Sequence, residues 1–323
     1  MNTNPISDID LDFPAYLQAR QTQLAQHEVA GIPNYSFATD RTLRQQMASI
    51  KPLHALAQFV VSKQKAFYEQ IYLMHGIAVG PQQYPEIYRL AEECARRLGI
   101  GLPQIFIIPD SNLNAATMAA DDISPLVLLT SGLVDALEPE ELLFVIGHEC
   151  GHIHNLHGVY NTAVQWLTNP LAQMIGAGVQ SKIKGAGGIV EFIVRGSIQL
   201  LLLRWSRCAE VTCDRAGLIC CGNIDVAQQA FLKLLTGGSV RLEHINVEEF
   251  LRQAEQINSK TAKLLELGDT HPLLPKRIKA TRAFANCDVL YSWRPEMPTD
   301  NKPLRTLRQT DALCDDIIRV VQS

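Results

Sequence analysis

Apolar and polar positions follow two different periods along this chain. Between residues 84 and 98 apolar side chains recur at helical spacing and Gly99 follows, which predicts an amphipathic helix closed by glycine. Residues 104–109 and 126–130 are short, continuous apolar runs, which are typical of buried strands. Residues 111–120 lie between them and can form the outer edge of the same sheet. The pattern therefore predicts a small sheet beside helices.

Most of the remaining chain has helical periodicity, interrupted by turns rich in glycine, proline and asparagine. Further helices are predicted at residues 13–28, 53–75, 247–258 and 304–321, with another beginning near His271. Breaks are predicted at residues 31–34, 222–223 and 237–238. The apolar positions of the two N-terminal helices are expected to pack on the rest of the fold, with contact to a partner as the alternative.

The most informative helix is predicted to begin at residue 138. Proline at 139 and glutamates at 140 and 141 are typical of a first turn. In the apolar run that follows, His148 and His152 are four residues apart and share one helix face, where both imidazoles can bind one metal ion. Glu149 adjoins the first histidine and can hold a water as a general base. This His-Glu-x-x-His pattern predicts one zinc ion per chain.

A catalytic zinc normally takes three protein ligands, so the chain must supply a third. One class of zinc proteases continues the motif to a glycine and a third histidine, but Asn155 and Gly158 occupy those positions here. His154 and His157 fall off the face that carries the motif. We expect these two to be solvated histidines near the helix end.

Two carboxylates further along the chain are better candidates for the third ligand. Glu210 and Asp214 are four residues apart in a helix-compatible segment, so one can bind zinc while the other orients a ligand. The alternative is a solvated, salt-bridged helix face, since arginines lie close by in sequence.

Four motifs then occur in the order found in one known family. They are Asn114-Ala115 followed by the run 126–133, His148-Glu149-x-x-His152, Ser206-Arg207-x-x-Glu210-x-x-x-Asp214-x-x-Gly217, and the segment 270–278 that contains His271-Pro272 and Arg277. Together they resemble the zinc metallopeptidases related to HtpX and the CAAX prenyl proteases, which are gluzincins. The resemblance covers roughly residues 81–285. Cys213 departs from the pattern, because the family usually has alanine there.

The resemblance implies a mostly α-helical α+β fold of the zincin-like kind, with a small edge-exposed β-sheet and an active-site helix. It also implies roles for individual side chains. The implied roles are zinc ligation for His148, His152 and Glu210, general base for Glu149, support of a ligand for Asp214, and stabilisation of the oxyanion for His271 and Arg277. The alternatives for the last two are a helix cap at His271 and a surface ion pair for Arg277.

The sheet edge is the candidate substrate-binding region. In zinc endopeptidases an extended peptide can add itself to such an edge through main-chain hydrogen bonds. Asn114 and Ala115 are our candidates for that contact, and an ordinary surface hairpin is the alternative.

Two long, weakly polar segments, 160–179 and 189–205, separate the motif from Glu210. In membrane-bound relatives of the family this interval carries spanning helices. Here polar residues recur every four positions in each segment, which favours amphipathic helices over lipid-spanning ones. We predict a helical hairpin over 158–205, whose apolar face packs on the domain, meets a membrane surface or another subunit, or spans a bilayer.

Composition and charge narrow the class of protein. The chain is 47% hydrophobic and 19% charged, with a net charge of −4 and a pI near 6.1. This is a globular composition without the basic patch expected of a nucleic-acid partner. Residues 1–12 are polar and acidic and predict no secretory signal. The eight cysteines are therefore expected to be reduced thiols in a cytoplasmic protein, with peripheral membrane contact as an option.

The sequence thus predicts three parts: an N-terminal helical region (1–80), a zinc metallopeptidase domain (81–290), and a linker with a C-terminal helix (291–323). The predicted function is zinc-dependent endopeptidase action on peptides or unfolded proteins, in protein quality control. The alternative is a latent or non-catalytic zinc-binding protein that binds unfolded chains or a membrane partner. No oligomeric state is predicted.

Overall fold

A computed structural model gives the fold of the chain. It describes residues 11–22, 28–29, 32–50, 69–120, 123–161, 164, 197–238, 241–256, 266–267, 271–299 and 303–320. The helices are α1 (Phe13–Thr22), α2 (Ala38–Ala48), α3 (Pro85–Leu98), α4 (Ser131–Ala136), α5 (Pro139–His154), α6 (Ser197–Cys221), α7 (Ile224–Thr236), α8 (Val247–Glu255), α9 (Leu274–Ala285), α10 (Asp288–Trp293) and α11 (Leu307–Ile318). A 3-10 turn spans Leu242–His244.

The strands form two sheets of very different size. They are β1 (Glu28–Val29), β2 (Ile32–Pro33), β3 (Ile77–Ala78), β4 (Gln104–Ile108), β5 (Ala115–Ala120) and β6 (Ile123–Thr130). The larger sheet has the order β3-β4-β6-β5, in which β4 and β6 are parallel and the outer pairs are antiparallel. Within the described residues β5 pairs only with β6, so it is an edge strand.

This architecture confirms the predicted mostly helical α+β fold with a small, edge-exposed sheet. The predicted helix over 84–98 is α3, and Gly99 closes it with a φ of 71°. The predicted strands correspond to β4 and β6, and the outer-edge segment contains β5. The breaks predicted at 222–223 and 237–238 both separate helices.

Helix α5 starts where its first-turn residues predict. Pro139 is at the first turn, and the backbone N–H of Glu138 donates to Oε2 of Glu141 at 2.8 Å. That carboxylate also pairs with Lys233 of α7 at 2.7 Å, which ties the helix start to its neighbour. The apolar composition of α5 follows from its position, because residues 141–154 are all buried.

Helix α6 packs closely against α5, and small residues make this contact possible. A Cβ added to Gly151 would lie 2.8 Å from Cβ of Ala216 and 3.0 Å from Cα of Cys213. A Cβ added to Gly147 would lie 2.7 Å from Sγ of Cys220. The glycines therefore let the backbone of α5 approach α6 closely enough for side chains of both helices to meet in one site.

The N-terminal region differs from the predicted pattern. The helix predicted over 13–28 ends at Thr22, and Glu28 lies in β1, which pairs with β2 as a short antiparallel hairpin. Helix α2 was not predicted at all, because its sequence is strongly polar apart from two apolar positions that become buried, Leu43 and Met47. Most of the helix predicted over 53–75 lies outside the described residues, and residues 69–75 are largely helical.

Most of the helical hairpin predicted over 158–205 also lies outside the described residues. Its last nine positions, 197–205, form the first turns of α6. In the part of the chain that the structure describes, no helix combines the length and the apolar character needed to cross a bilayer.

Candidate metal centre

Two histidines of α5 and one glutamate of α6 face one another. His148 and His152 lie one turn apart with ring centroids 5.1 Å from each other. Nε2 of His148 lies 3.6 Å from Oε2 of Glu210, and Nε2 of His152 lies 3.5 Å from Oε1 of the same carboxylate. All three side chains are buried. The structure thus brings together two imidazole nitrogens and a carboxylate, the donor types that zinc prefers.

A carboxylate and an arginine lie behind His148. Nδ1 of His148 is 2.9 Å from Oδ1 of Asp214, so the Nδ1–H tautomer donates to Asp214 and leaves Nε2 with its lone pair. Arg277 of α9 holds Asp214 with two bonds, from Nε at 2.9 Å and from Nη2 at 2.6 Å. Its guanidinium also lies over the ring of Phe231. Asp214 and Arg277 therefore fix the orientation of His148.

A second histidine lies behind His152. Nδ1 of His152 is 3.2 Å from Nδ1 of His157, whose Nε2 is 3.1 Å from Oδ2 of Asp40. His157 is 0% exposed, so the expectation that it is solvated is wrong. The reason is that helix α2, which carries Asp40, packs against α6 and covers this end of α5.

The same expectation is wrong for His154. It is buried, and its Nδ1 lies 3.1 Å from the hydroxyl of Tyr35. Its ring also packs edge-on against Trp293. The polar end of α5 is therefore an interior region, because segments from both ends of the described chain close over it.

His271 completes the charged side of the site. Its Nδ1 lies 2.9 Å from Oε2 of Glu210, while its side chain is 62% exposed. Nη1 of Arg277 lies 3.1 Å from the same oxygen. Of the two described side chains that pair with Oε2 of Glu210, His271 is thus the one that is largely exposed to solvent.

These contacts shift the ionisation of the cluster. Burial would raise the pKa of Glu210, but the nearby His271, Arg277 and His148 outweigh it and hold that pKa well below the ordinary range. Burial would lower the pKa of His148, but Glu210 and Asp214 raise it above its ordinary value. The carboxylate of Glu210 raises the pKa of His271. Glu210 is therefore an ionised, buried acceptor.

The base candidate contacts the edge strand. Oε2 of Glu149 accepts a hydrogen bond from Oγ1 of Thr117, a residue of β5, at 2.6 Å. Ala115 begins this strand and Asn114 precedes it, two and three residues before Thr117. The backbone of Asn114 exchanges hydrogen bonds with Thr130, at 3.0 Å in each direction. The structure therefore brings β5 to the general base and places Asn114 and Ala115 along the same edge.

A second donor set exists beside the first. Ligand atoms of His148, His152 and Cys213 lie within 4.8 Å of one another. However, Sγ of Cys213 is 3.6 Å from Nδ1 of His157, on the side of His152 that faces away from Glu210. Burial, together with Glu210 and Asp40, raises the pKa of the thiol well above its usual range. Because zinc binds the thiolate, Glu210 is the better third donor.

The sequence did not indicate that Thr117, His157 or Asp40 belongs to the site. The spacing of His157 from the motif places it at the end of α5, but nothing in the sequence shows that this end is covered. Thr117 is one of many threonines that a strand can carry. Asp40 lies 117 positions from His157, so only the folded chain reveals their contact.

Comparison with known proteins agrees with the geometry. The sequence model of peptidase family M48 matches residues 81–285. The plastoglobule-localized metallopeptidase 48 of Arabidopsis thaliana is 29% identical over 225 residues, which cover 68% of this chain and 61% of that protein. The alignment thus spans less than two thirds of that relative's length.

Two prokaryotic proteins are similar over comparable lengths. Protease HtpX of Chromohalobacter salexigens is 29% identical, with 60% of this chain and 69% of that protein covered. A protease HtpX homolog of Pyrococcus furiosus is 26% identical, with 64% and 76% covered. Since the family match spans more than half of the 323 residues, the chain belongs to peptidase family M48.

Proposed function

We propose that this chain is a zinc-dependent endopeptidase that hydrolyses peptide bonds in extended or unfolded polypeptides. The observation that carries the proposal is the convergence of the Nε2 atoms of His148 and His152 on the two oxygens of Glu210. Family membership supports the hydrolytic activity, and the motif with its intact Glu149 supports catalysis over a purely structural metal site.

The residues fit a zinc ion. Oε2 of Glu210 is buried and lacks a hydrogen bond among the described residues, although His271 and Arg277 approach it. These two positive groups keep the carboxylate ionised, as a zinc ligand must be, and the Nε2 atoms of His148 and His152 face it at 3.6 and 3.5 Å. His148, His152 and Glu210 would hold the metal. Zinc, when bound, supplies a Lewis acid that lowers the pKa of water to about 7 and polarises a carbonyl.

Glu149 would act as the base and then as the acid. Its carboxylate takes a proton from the attacking water and returns it to the amine nitrogen that leaves. Thr117 donates to Oε2 of Glu149 and therefore orients the carboxylate. A peptide added to the free edge of β5 would lie beside this base, with Ala115 as a main-chain partner and Asn114 next to it. The main-chain N–H and carbonyl of Asn114 are bonded to Thr130, so its side chain would make the contact.

His271 and Arg277 would stabilise the oxyanion that forms during attack. Nε and Nη2 of Arg277 are taken up by Asp214, so Nη1 is the donor that points at the cluster. His271 is exposed enough to meet a substrate. Removing one donor of this kind costs about 3 to 4 kcal/mol of transition-state stabilisation.

Main-chain recognition at an edge strand tolerates many sequences, which suits the removal of unfolded protein. We therefore place the activity in protein quality control. Peripheral contact with a membrane and the cytoplasmic location remain part of this proposal.

The test combines zinc content, measured by elemental analysis, with cleavage of casein. Wild type should hold one zinc per chain, and a chelator should abolish cleavage. Glu149→Gln should keep the zinc and lose activity by about 10²- to 10⁴-fold. Glu210→Ala should lose or greatly weaken zinc binding.

Glu141→Gln is the matched control, because Glu141 is another buried glutamate of α5 that pairs with Lys233 at the far end of the helix. It should keep both zinc and activity. Full cleavage by Glu149→Gln with zinc bound would disprove the catalytic role. Zinc without cleavage in wild type would favour a latent or binding protein.

A further inference from the structure

A buried polar cluster lies behind His152, and the proposed reaction assigns none of its residues a role in bond cleavage. It consists of Asp40 from α2, His157 from the end of the motif segment, and Trp205 and Thr212 from α6. All four are buried. Burying a carboxylate and a histidine costs free energy unless every polar atom has a partner, so their bonding pattern is informative.

The donors and acceptors of this cluster can be assigned from Asp40 outward. Nε1 of Trp205 can only donate, and it lies 2.9 Å from Oδ1 of Asp40. Oγ1 of Thr212 donates to Oδ2 at 2.6 Å, and its oxygen accepts from the backbone N–H of Phe37. Asp40 therefore acts as an acceptor only. Consequently Nε2 of His157, at 3.1 Å from Oδ2, must carry a proton.

That proton fixes the rest of the chain of bonds. A neutral imidazole has one N–H and one lone pair, so Nδ1 of His157 is an acceptor. Its neighbour at 3.2 Å is Nδ1 of His152, which must then be the donor. The remaining nitrogen of His152, Nε2, keeps its lone pair and lies 3.5 Å from Oε1 of Glu210.

Two further contacts involve the same nitrogens. The thiol of Cys213 lies 3.6 Å from Nδ1 of His157 and can share its lone pair as a second, weaker donor. The side chain of Asn161 presents Nδ2, a donor, 3.1 Å from Nδ1 of His152, so the amide must be turned if Nδ1 of His152 carries the proton. Its two ends are nearly the same shape, and the direction of the chain requires its oxygen to face the donor.

We propose that Asp40 and His157 are positioning residues of the metal centre, which hold His152 in the Nδ1–H tautomer and aim its Nε2 at the metal. The inference rests on the metal-binding part of the proposed function. A ligating histidine almost always donates its second nitrogen to an oxygen acceptor or water. Here a second histidine stands between the ligand and the carboxylate.

A pair of nearly isosteric substitutions separates positioning from packing. In His157→Asn, the amide oxygen can occupy the place of Nδ1 and still accept from His152. In His157→Leu, the side chain has a similar shape and cannot accept. Zinc affinity is measured by competition with a chromophoric chelator, beside thermal unfolding of the metal-free proteins.

We expect His157→Leu to weaken zinc binding by about 10- to 100-fold. His157→Asn should lie closer to wild type than to His157→Leu. If the cluster only stabilises the fold, both variants unfold more easily while their zinc affinities stay equal to that of wild type, and the inference is wrong.

Tyr35→Phe is the control. It removes two buried hydrogen bonds, one with His154, which lies on the same helix as His152, and one that the hydroxyl accepts from Asn155. It should lower stability and leave zinc affinity unchanged. If Tyr35→Phe weakens zinc binding as much as His157→Leu, general loosening rather than the tautomer explains the result, and the inference also fails.

A measurement on wild type decides the matter if the variants do not fold. With histidine labelled with nitrogen-15, long-range proton–nitrogen spectra report which nitrogen carries the proton. We expect Nε2–H for His157, identified by its contact with the ring of Trp205 at 5.4 Å, and Nδ1–H for zinc-bound His152. Nδ1–H on His157 would overturn the proposal. Wild type that binds no zinc would instead refute the proposed function itself.

Discussion

The two metal-facing histidines of α5 are held in place in different ways. His148 contacts a carboxylate directly, and an arginine fixes that carboxylate with two bonds. His152 reaches its carboxylate through His157, with neutral donors around the far end. In the first arrangement an arginine bonds the carboxylate, whereas Trp205, Thr212 and His157, which bond Asp40 in the second, carry no fixed charge. Both give an imidazole whose Nε2 faces Glu210.

The difference shows how one requirement can be met with two kinds of partner. The side chains of Asp214 and Asp40 are equally buried, at 1% and 2% exposure. The guanidinium of Arg277 is 12% exposed and can stabilise two acidic groups at once. A second imidazole extends the reach of His152 to Asp40 without adding a full charge. One carboxylate is therefore held by an ion pair and the other by bonds from side chains without a fixed charge. Four substitutions test this comparison.

Asp214→Asn should have the largest effect. It removes one partner of a buried ion pair and leaves Arg277 with a charge that only Glu210 can balance, which costs about 3 to 5 kcal/mol. Zinc affinity should also fall by about 10- to 100-fold, because a neutral amide oxygen is a weaker acceptor for His148 than a carboxylate. Urea unfolding of the metal-free protein measures the first effect. Glu255→Gln, in an exposed pair with Lys279, should leave the unfolding free energy almost unchanged.

Gly151→Ala should disturb both arrangements together. The new Cβ would meet α6 at 2.8 to 3.0 Å, so the two helices must separate. Overpacking of this kind costs about 1 to 3 kcal/mol, partly offset by the gain from replacing a helical glycine. We expect unfolding at lower urea and weaker zinc binding. Gly80→Ala is the control, since its Cβ meets nothing within 4 Å; equal behaviour of the two variants would contradict the close packing.

Asp40→Asn should cost less than Asp214→Asn. The side chains bonded to Asp40 are those of Trp205, Thr212 and His157, and none of them carries a fixed charge. The substitution therefore weakens hydrogen bonds to a charged group, which costs about 1.5 to 3 kcal/mol. Zinc affinity should fall by about tenfold. Unfolding and chelator competition measure both values. A larger loss of stability than in Asp214→Asn would reverse the comparison.

Thr212→Val should have the smallest effect of the four. It removes one of the bonds to Asp40 and the bond that Thr212 accepts from the backbone N–H of Phe37, and it leaves the bonds from Trp205 and His157 to Asp40 in place. We expect a loss of about 1 kcal/mol in unfolding free energy. Zinc affinity should stay close to that of wild type. A drop as large as that of Asp40→Asn would show that the relay depends on every donor around the carboxylate.

The sequence predicts the direct arrangement better than the relayed one for a physical reason. His148 and His152 are four residues apart on α5, and Glu210 and Asp214 are four apart on α6. Helical periodicity alone therefore places each pair on one face of its helix. Asp40 lies on a helix that the pattern did not predict, far from His157 in sequence. Its contact depends on how α2 docks, which local spacing does not encode.

The same limit explains the error at the end of α5. His154 and His157 follow the apolar run among polar residues, a pattern that normally indicates solvent. Tyr35, which follows the β1–β2 hairpin, and Asp40 of α2 lie over this end and supply the partners that make burial favourable. Polar residues near a helix end are thus ambiguous until the covering segment is known.

Helix α2 has a practical consequence for protein engineering. The family match begins at residue 81, which makes that position an attractive place to start a shortened enzyme. Such a fragment would keep His152 and His157 but lose Asp40 and the cover over them. Water would enter the space behind the ligand, and the relay would end in solvent. A minimal version of this site that can be transferred to another protein must therefore carry the β1–β2 hairpin and α2 along with the motif.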